Sequence, residues 1–132
     1  MRIYLDASAA AKLLIEEAES ETLASRLDAW AEAGETLLSS LLLETELRRL
    51  ATRVGLAQET VTDLLDRLDL VDPDAMTYHA AGLLPGSHVH GLDAFHVVAA
   101  LQTDCRVMLS FDGRQVDAAR AAGLAVEAPE AA

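Results

Sequence analysis

Short apolar runs and longer stretches with apolar residues three or four apart follow one another along this chain, the alternation of strand and helix. Arg2–Leu5 reads as a strand and Ala7 to Glu17 as a helix, its start capped by Asp6 or Ser8. A second helix runs from Ser20 to Ala33 and stops at Gly34, after which Thr36 to Ser39 returns as a strand. From Ser40 to Val54, leucines at 41, 43, 47 and 50 face arginines at 48, 49 and 53, and Gly55 ends this amphipathic helix. Ala57 to Arg67 is helical, and Leu68 to Val71 is a short strand before the turn Asp72-Pro73-Asp74. A helix follows Pro73 to about Leu84, and the stretch from Pro85 to Gly91, with two glycines and a proline, is an exposed loop. Asp93 to Thr103 (helix), Arg106 to Ser110 (strand), Gly113 to Ala122 (helix) and Leu124 to Glu127 (strand) complete the order.

Strands that alternate with helices predict right-handed crossovers and a mainly parallel sheet of roughly five strands covered on both faces, a three-layer α/β/α domain. The 132 residues suit one domain, with Glu130-Ala131-Ala132 expected to fray. In such sheets ligands collect at the carboxyl ends of the strands, and chemistry is sought there.

Composition narrows the function. With 52% hydrophobic and 24% charged residues the chain has apolar surface for a core. Asp6 interrupts the apolar stretch a secretory signal would need, and Leu37 to Leu43 is too short to span a membrane. Cys105 is the only cysteine, so neither an internal disulfide nor a cysteine-based zinc site is open to it, and a cytoplasmic location is expected. A net charge of −12 opposes long-range attraction of nucleic acid, although screening confines repulsion to about 8 Å at physiological salt.

Four acids fall at corresponding places: Asp6 after the first strand, Glu44 one turn into a helix, Asp93 at a helix start and Asp112 after a strand. Each has an ordinary explanation. Aspartate at a helix N-terminus caps free amides and complements the dipole, and Glu44 lies four residues before Arg48, the spacing of a surface ion pair. Glu44 also directly follows an apolar run, and an inward orientation is equally compatible with the sequence.

The local sequences around these acids resemble the PIN-domain family, especially its VapC-type toxins, over nearly the whole chain. Asp6-Ala7-Ser8-Ala9 with Lys12-Leu13 is similar to the opening motif, Ser39 to Glu44 with Leu47-Arg48 to the second, Leu92-Asp93-Ala94-Phe95-His96 to the third and Ser110-Phe111-Asp112 to the fourth. Four patterns in order are far more specific than any one of them. The resemblance implies a metal-dependent ribonuclease, the toxin of a toxin–antitoxin pair. Asp6 and Asp93 are then the central metal ligands, Glu44 and Asp112 complete the site, and Ser8 and Ser110 brace the carboxylates.

Hard oxygen ligands suit Mg²⁺ or Mn²⁺. Clustered carboxylates repel one another until a cation joins them, and paired cations can activate water and stabilise a leaving oxygen. His88, His90 and His96 raise a zinc reading, but no third ligand has a persuasive spacing, and His96 is expected to pack or hydrogen-bond near Asp93. Lys12, Arg48, Arg49 and Arg114 are candidates for RNA phosphates. Asp112, directly after its strand, is preferred over Asp117, which a helix carries away by about 7.5 Å. The competing readings are a non-catalytic PIN-like interaction domain and a phosphatase or phosphotransfer domain, the latter weakened by the lack of a second acid two residues after Asp6. The resemblance also implies a homodimer and a small VapB-type antitoxin with a basic segment, to which an acidic surface is suited.

Overall fold

In a computed structural model that describes residues 1–131, the chain forms β1 (Arg2–Leu5), α1 (Ala7–Leu14), α2 (Ser20–Glu32), β2 (Thr36–Ser40), α3 (Leu42–Val54) and α4 (Gln58–Leu65). There follow β3 (Asp69–Val71), α5 (Ala75–Leu83), α6 (Gly91–Gln102), β4 (Val107–Leu109), α7 (Gly113–Ala121) and β5 (Ala125–Glu127). Ala132, the last residue of the tail expected to fray, lies outside the described residues. All pairings are parallel, in the order β3-β2-β1-β4-β5.

Alternation along the strands builds the layers, because successive side chains point to opposite faces. Ile3 and Leu5 of β1, Leu37 of β2 and Leu109 of β4 join a core completed by Leu23, Leu27, Leu43, Leu47, Val61 and Leu65 from α2, α3 and α4. Tyr4, Leu38 and Met108 point to the other face, where Val97, Ala100 and Ala119 from α6 and α7 cover them. A fully buried aliphatic side chain contributes about 1.5–3 kcal/mol, and both faces of β1 are buried in this way.

The sheet runs outward from β1 in two directions, to β2 and β3 on one side and to β4 and β5 on the other. The strand order therefore reverses between β1 and β4, the kind of switch point at which open α/β sheets bind ligands. The residues that follow are Asp6 and Ser110 to Asp112.

Boundaries differ from expectation in places that matter for the site. Helix α1 ends at Leu14, since Ile15 is extended (φ −118°, ψ 122°) and Lys12 is drawn to Glu17 at 2.5 Å and Glu19 at 2.9 Å in the turn that follows. Ser40 belongs to β2 and its Oγ accepts from Leu42 N at 3.1 Å, so α3 starts at Leu42. Helix α6 starts at Gly91, which places Asp93 inside its first turn. Gly55, at φ 75°, ends α3 in the left-handed region that a β-carbon disfavours. Among the described residues no helix is long and apolar enough to cross a membrane.

Candidate active site

Asp6 is the N-cap of α1, its Oδ1 accepting from Ala9 N at 3.0 Å, so the ordinary capping explanation holds for it. It does not exhaust the residue. Asp6 is 3% exposed, and Ser8 Oγ donates to its Oδ1 at 2.7 Å while Ser110 Oγ donates to its Oδ2 at 2.5 Å. Each serine is held in turn by a backbone amide, since Phe111 N donates to Ser8 Oγ at 2.8 Å and Asp112 N to Ser110 Oγ at 3.2 Å. The loop after β4 is thereby tied to the loop after β1. Burial pushes the Asp6 carboxyl above its ordinary pKa, and the hydrogen bonds from Ser110, Ala9 and Ser8 oppose that rise without cancelling it.

Asp93 lies in the first turn of α6, half-buried. Its carboxyl is also pushed up, first by desolvation and then by the negative charge of Asp112, with His90, Arg114 and His96 pulling the other way. Gln115, 1% exposed, satisfies its hydrogen bonding when the amide nitrogen faces Asp93, at 3.1 Å from Oδ1 and 3.2 Å from the carbonyl. Asp112 is the N-cap of α7, accepting from Arg114 N at 2.9 Å, and is exposed. Asp117 is an exposed residue of α7, one and a half turns further on.

The second carboxylate element departs from the sequence reading. Glu44 Oε2 accepts from Arg48 Nε at 3.1 Å, and that guanidinium also reaches Gln58 Oε1 and Thr62 Oγ1 on α4, both at 3.1 Å. The i,i+4 ion pair therefore claims Glu44 and directs it toward α4. Glu46, two residues and about 200° further around α3, faces the opposite way, its Oε1 lying 2.7 Å from His96 Nε2. Its side chain is 19% exposed against 42% for Glu44. His96 is 3% exposed, and its charge interaction reaches both Asp6 and Asp93. His96 thus bonds Glu46 and lies within charge range of Asp6 and Asp93, whereas Glu44 pairs with Arg48.

Sequence reasoning missed Glu46, Gln115 and Tyr4, whose hydroxyl is 2.7 Å from His96 Nδ1. A signal for Glu46 did exist: its spacing from the buried Leu43 and Leu47 sets it beside the core-facing stripe, while the Glu44–Arg48 spacing favoured a surface pair.

The basic candidates divide similarly. Lys12 is held by Glu17 and Glu19 and lies 4.8 Å from the centre of the Phe111 ring, and Arg48 is committed to α4. Both candidates for phosphate contacts are thus already paired within the protein. Arg114 stands 3.1 Å from His90 Nδ1 beside Asp93, and Arg49 with Arg53 lines a groove of about 610 Å³ running from Ser8 between α1 and α3 to Leu92.

The donors at the site are oxygens, apart from His96, both of whose nitrogens have partners. Among the described residues no three His, Cys, Asp or Glu side chains are close enough to enclose one ion. Oxygen donors suit Mg²⁺, which keeps several waters and is bound through one or two carboxylates plus phosphate oxygens. A cation beside the Asp6 and Asp93 carboxyls would offset the desolvation that raises both and the repulsion between Asp93 and Asp112.

A five-stranded parallel sheet with a buried aspartate at its switch point defines the class, and the PIN-domain family model matches residues 3–121. The chain belongs to the PIN-domain family. It is 38% identical over 135 residues to Ribonuclease VapC35 of Mycobacterium tuberculosis, covering 96% of each chain. Ribonuclease VapC47 of the same organism is 32% identical over 133 residues, 98% of each chain. Among solved structures, one of VapBC2 from Rickettsia felis bound to a DNA fragment from its promoter superposes with a TM-score of 0.73 at 15% identity, over 96% of this chain and 98% of that one.

Proposed function

We propose that this protein is a divalent-metal-dependent endoribonuclease, the toxin of a toxin–antitoxin pair, with Asp6, Glu46, Asp93 and Asp112 as its carboxylates. The observation that carries the reading is the bracing of Asp6: a buried carboxylate at the switch point, oriented by Ser8 from the first turn of α1 and by Ser110 from the loop after β4. A structural cap needs one bond to a helix amide, whereas this one is fixed at both oxygens, as a metal ligand is by its surroundings. The full-length relatives called ribonucleases support the same reading.

Mg²⁺ or Mn²⁺ bound here would supply a water of lowered pKa and a charge for the phosphodiester oxygens. Asp6 and Asp93 are the residues to hold it, with Glu46 and Asp112 orienting waters. Ser8 and Ser110 keep the Asp6 oxygens in place, and Gln115 does the same for Asp93 Oδ1. Arg114 and Arg49 are the cations left to hold the RNA backbone, which answers the objection from net charge: attraction is local, at the site.

The partner we propose is a VapB-type antitoxin, whose apolar helix suits the groove between α1 and α3 and whose basic segment suits the acids at its end. A homodimer is proposed on Met76 and Leu83 of α5, 62% and 69% exposed. The compartment is the cytoplasm, where RNA is available. Cleavage of a cellular RNA pool with Mg²⁺, with excess chelator and by Asp6→Asn tests the function. Activity should require the metal and vanish in the variant, and full cleavage by metal-free protein would reject it.

A further inference from the structure

The chain Ser40–Tyr4–His96–Glu46 crosses from the sheet to the site and is not accounted for by packing alone. Ser40 N donates to Tyr4 Oη at 3.1 Å, Tyr4 Oη lies 2.7 Å from His96 Nδ1, and His96 Nε2 lies 2.7 Å from Glu46 Oε1. Tyr4 is 0% and His96 3% exposed, so water does not compete for these groups. Donor counting fixes the direction. The tyrosine oxygen accepts the Ser40 amide and its hydrogen can be donated to His96 Nδ1, while the Glu46 carboxylate on the far side of the ring can only accept, so both neighbours favour the same arrangement. With Nδ1 accepting, the ring proton sits on Nε2 and is donated to Glu46.

We propose that Tyr4 and His96 form a positioning relay that fixes the ring tautomer and thereby holds the Glu46 carboxylate toward the cation site. The inference rests on the reading of Glu46 as a site carboxylate. Glu46 projects from α3, which packs on one face of the sheet, while Tyr4 belongs to the core on the other face. The relay joins the two layers beside the carboxyl end of β1, within charge range of Asp6 and Asp93 through His96.

Two measurements on the full chain test the relay. In long-range ¹H–¹⁵N spectra without metal, His96 should show Nε2 protonated and Nδ1 bare, and Tyr4→Phe should populate the other tautomer. A bare Nε2 in the wild type overturns the proposal. Mn²⁺ binding, read by the EPR signal of the free ion, should weaken by roughly 10–100-fold in His96→Ala, and His96→Gln, whose Nε2 restores a donor to Glu46, should recover most of it. Equal losses in the two variants, with thermal unfolding as in the wild type, would show that the donor is not what matters and overturn the relay. Glu46→Gln is the reference. If it weakens Mn²⁺ binding and His96→Ala does not, the relay alone fails, and if Glu46→Gln binds as the wild type does, the assignment of the carboxylate fails first.

Discussion

Removing the charges of Glu44 and Glu46 one at a time separates a surface ion pair from a carboxylate held by the buried His96. Glu44→Gln removes an ion pair whose partners are 42% and 33% exposed, and exposed i,i+4 pairs contribute about 0.3–0.5 kcal/mol. Unfolding should therefore shift by only a degree or two, since about 1 kcal/mol moves the midpoint of a domain this size by roughly 2–8 °C. Cleavage should not change. Glu46→Gln keeps an acceptor for His96 Nε2 and so preserves the fold, but removes a unit charge from the cation site. At an effective dielectric of about 20, two unit charges about 4 Å apart interact by about 4 kcal/mol. Solvent reaching this partly open site lowers that toward about 2.7 kcal/mol, which is a factor of roughly 100 in rate or affinity. The assay is kcat/KM on a fluorogenic single-stranded RNA at fixed Mg²⁺ and salt, with thermal unfolding beside it. A hundredfold loss in Glu44→Gln with Glu46→Gln unimpaired would refute the reasoning.

Three further outcomes follow from the geometry. The Asp93 carboxyl is raised in the folded protein, so in metal-free solution the folded state binds more protons than the unfolded one above the ordinary carboxylate range, and stability falls as pH rises through that window. Asp93→Asn, which keeps Oδ1 for Gln115, should gain thermal stability over the wild type from acid to neutral pH while losing cleavage, and a constant difference across that range contradicts the shift. Asp112→Asn keeps the cap, since Asn caps nearly as well as Asp, yet should slow cleavage far more than Asp117→Asn at saturating RNA, and the reverse ranking would mark Asp117 as the site residue. Arg114→Ala should raise KM and reduce the slope of log affinity against log salt for single-stranded RNA by about 0.7, and an unchanged slope would remove Arg114 from the phosphate contacts.

The strands were legible because a sheet buried on both faces demands apolar residues in short runs, and Arg2–Leu5, Thr36–Ser39 and Val107–Leu109 have little else to be. The acids next to them were legible for the same reason: a residue that directly follows a buried strand has its position fixed by the strand. Glu44 and Glu46 lack that constraint. Both lie on a helix that buries Leu43, Leu47 and Ala51, and both flank that stripe, so their roles are decided by tertiary partners, Arg48 with α4 for Glu44 and His96 for Glu46. The end of α1 at Leu14 depends on Lys12 meeting Glu17 and Glu19, contacts that periodicity does not contain. His96 was expected to hydrogen-bond near Asp93, but its partners come from β1 and α3, 92 and 50 residues away.

The central claim is that the carboxylates at the switch point hold a divalent cation. Anomalous diffraction from crystals soaked in Mn²⁺ tests it most directly. The account predicts a peak within ligand distance of Asp6 and Asp93, lost in Asp6→Asn. A strong peak elsewhere, or none in crystals of protein that cleaves RNA with Mn²⁺, would contradict it.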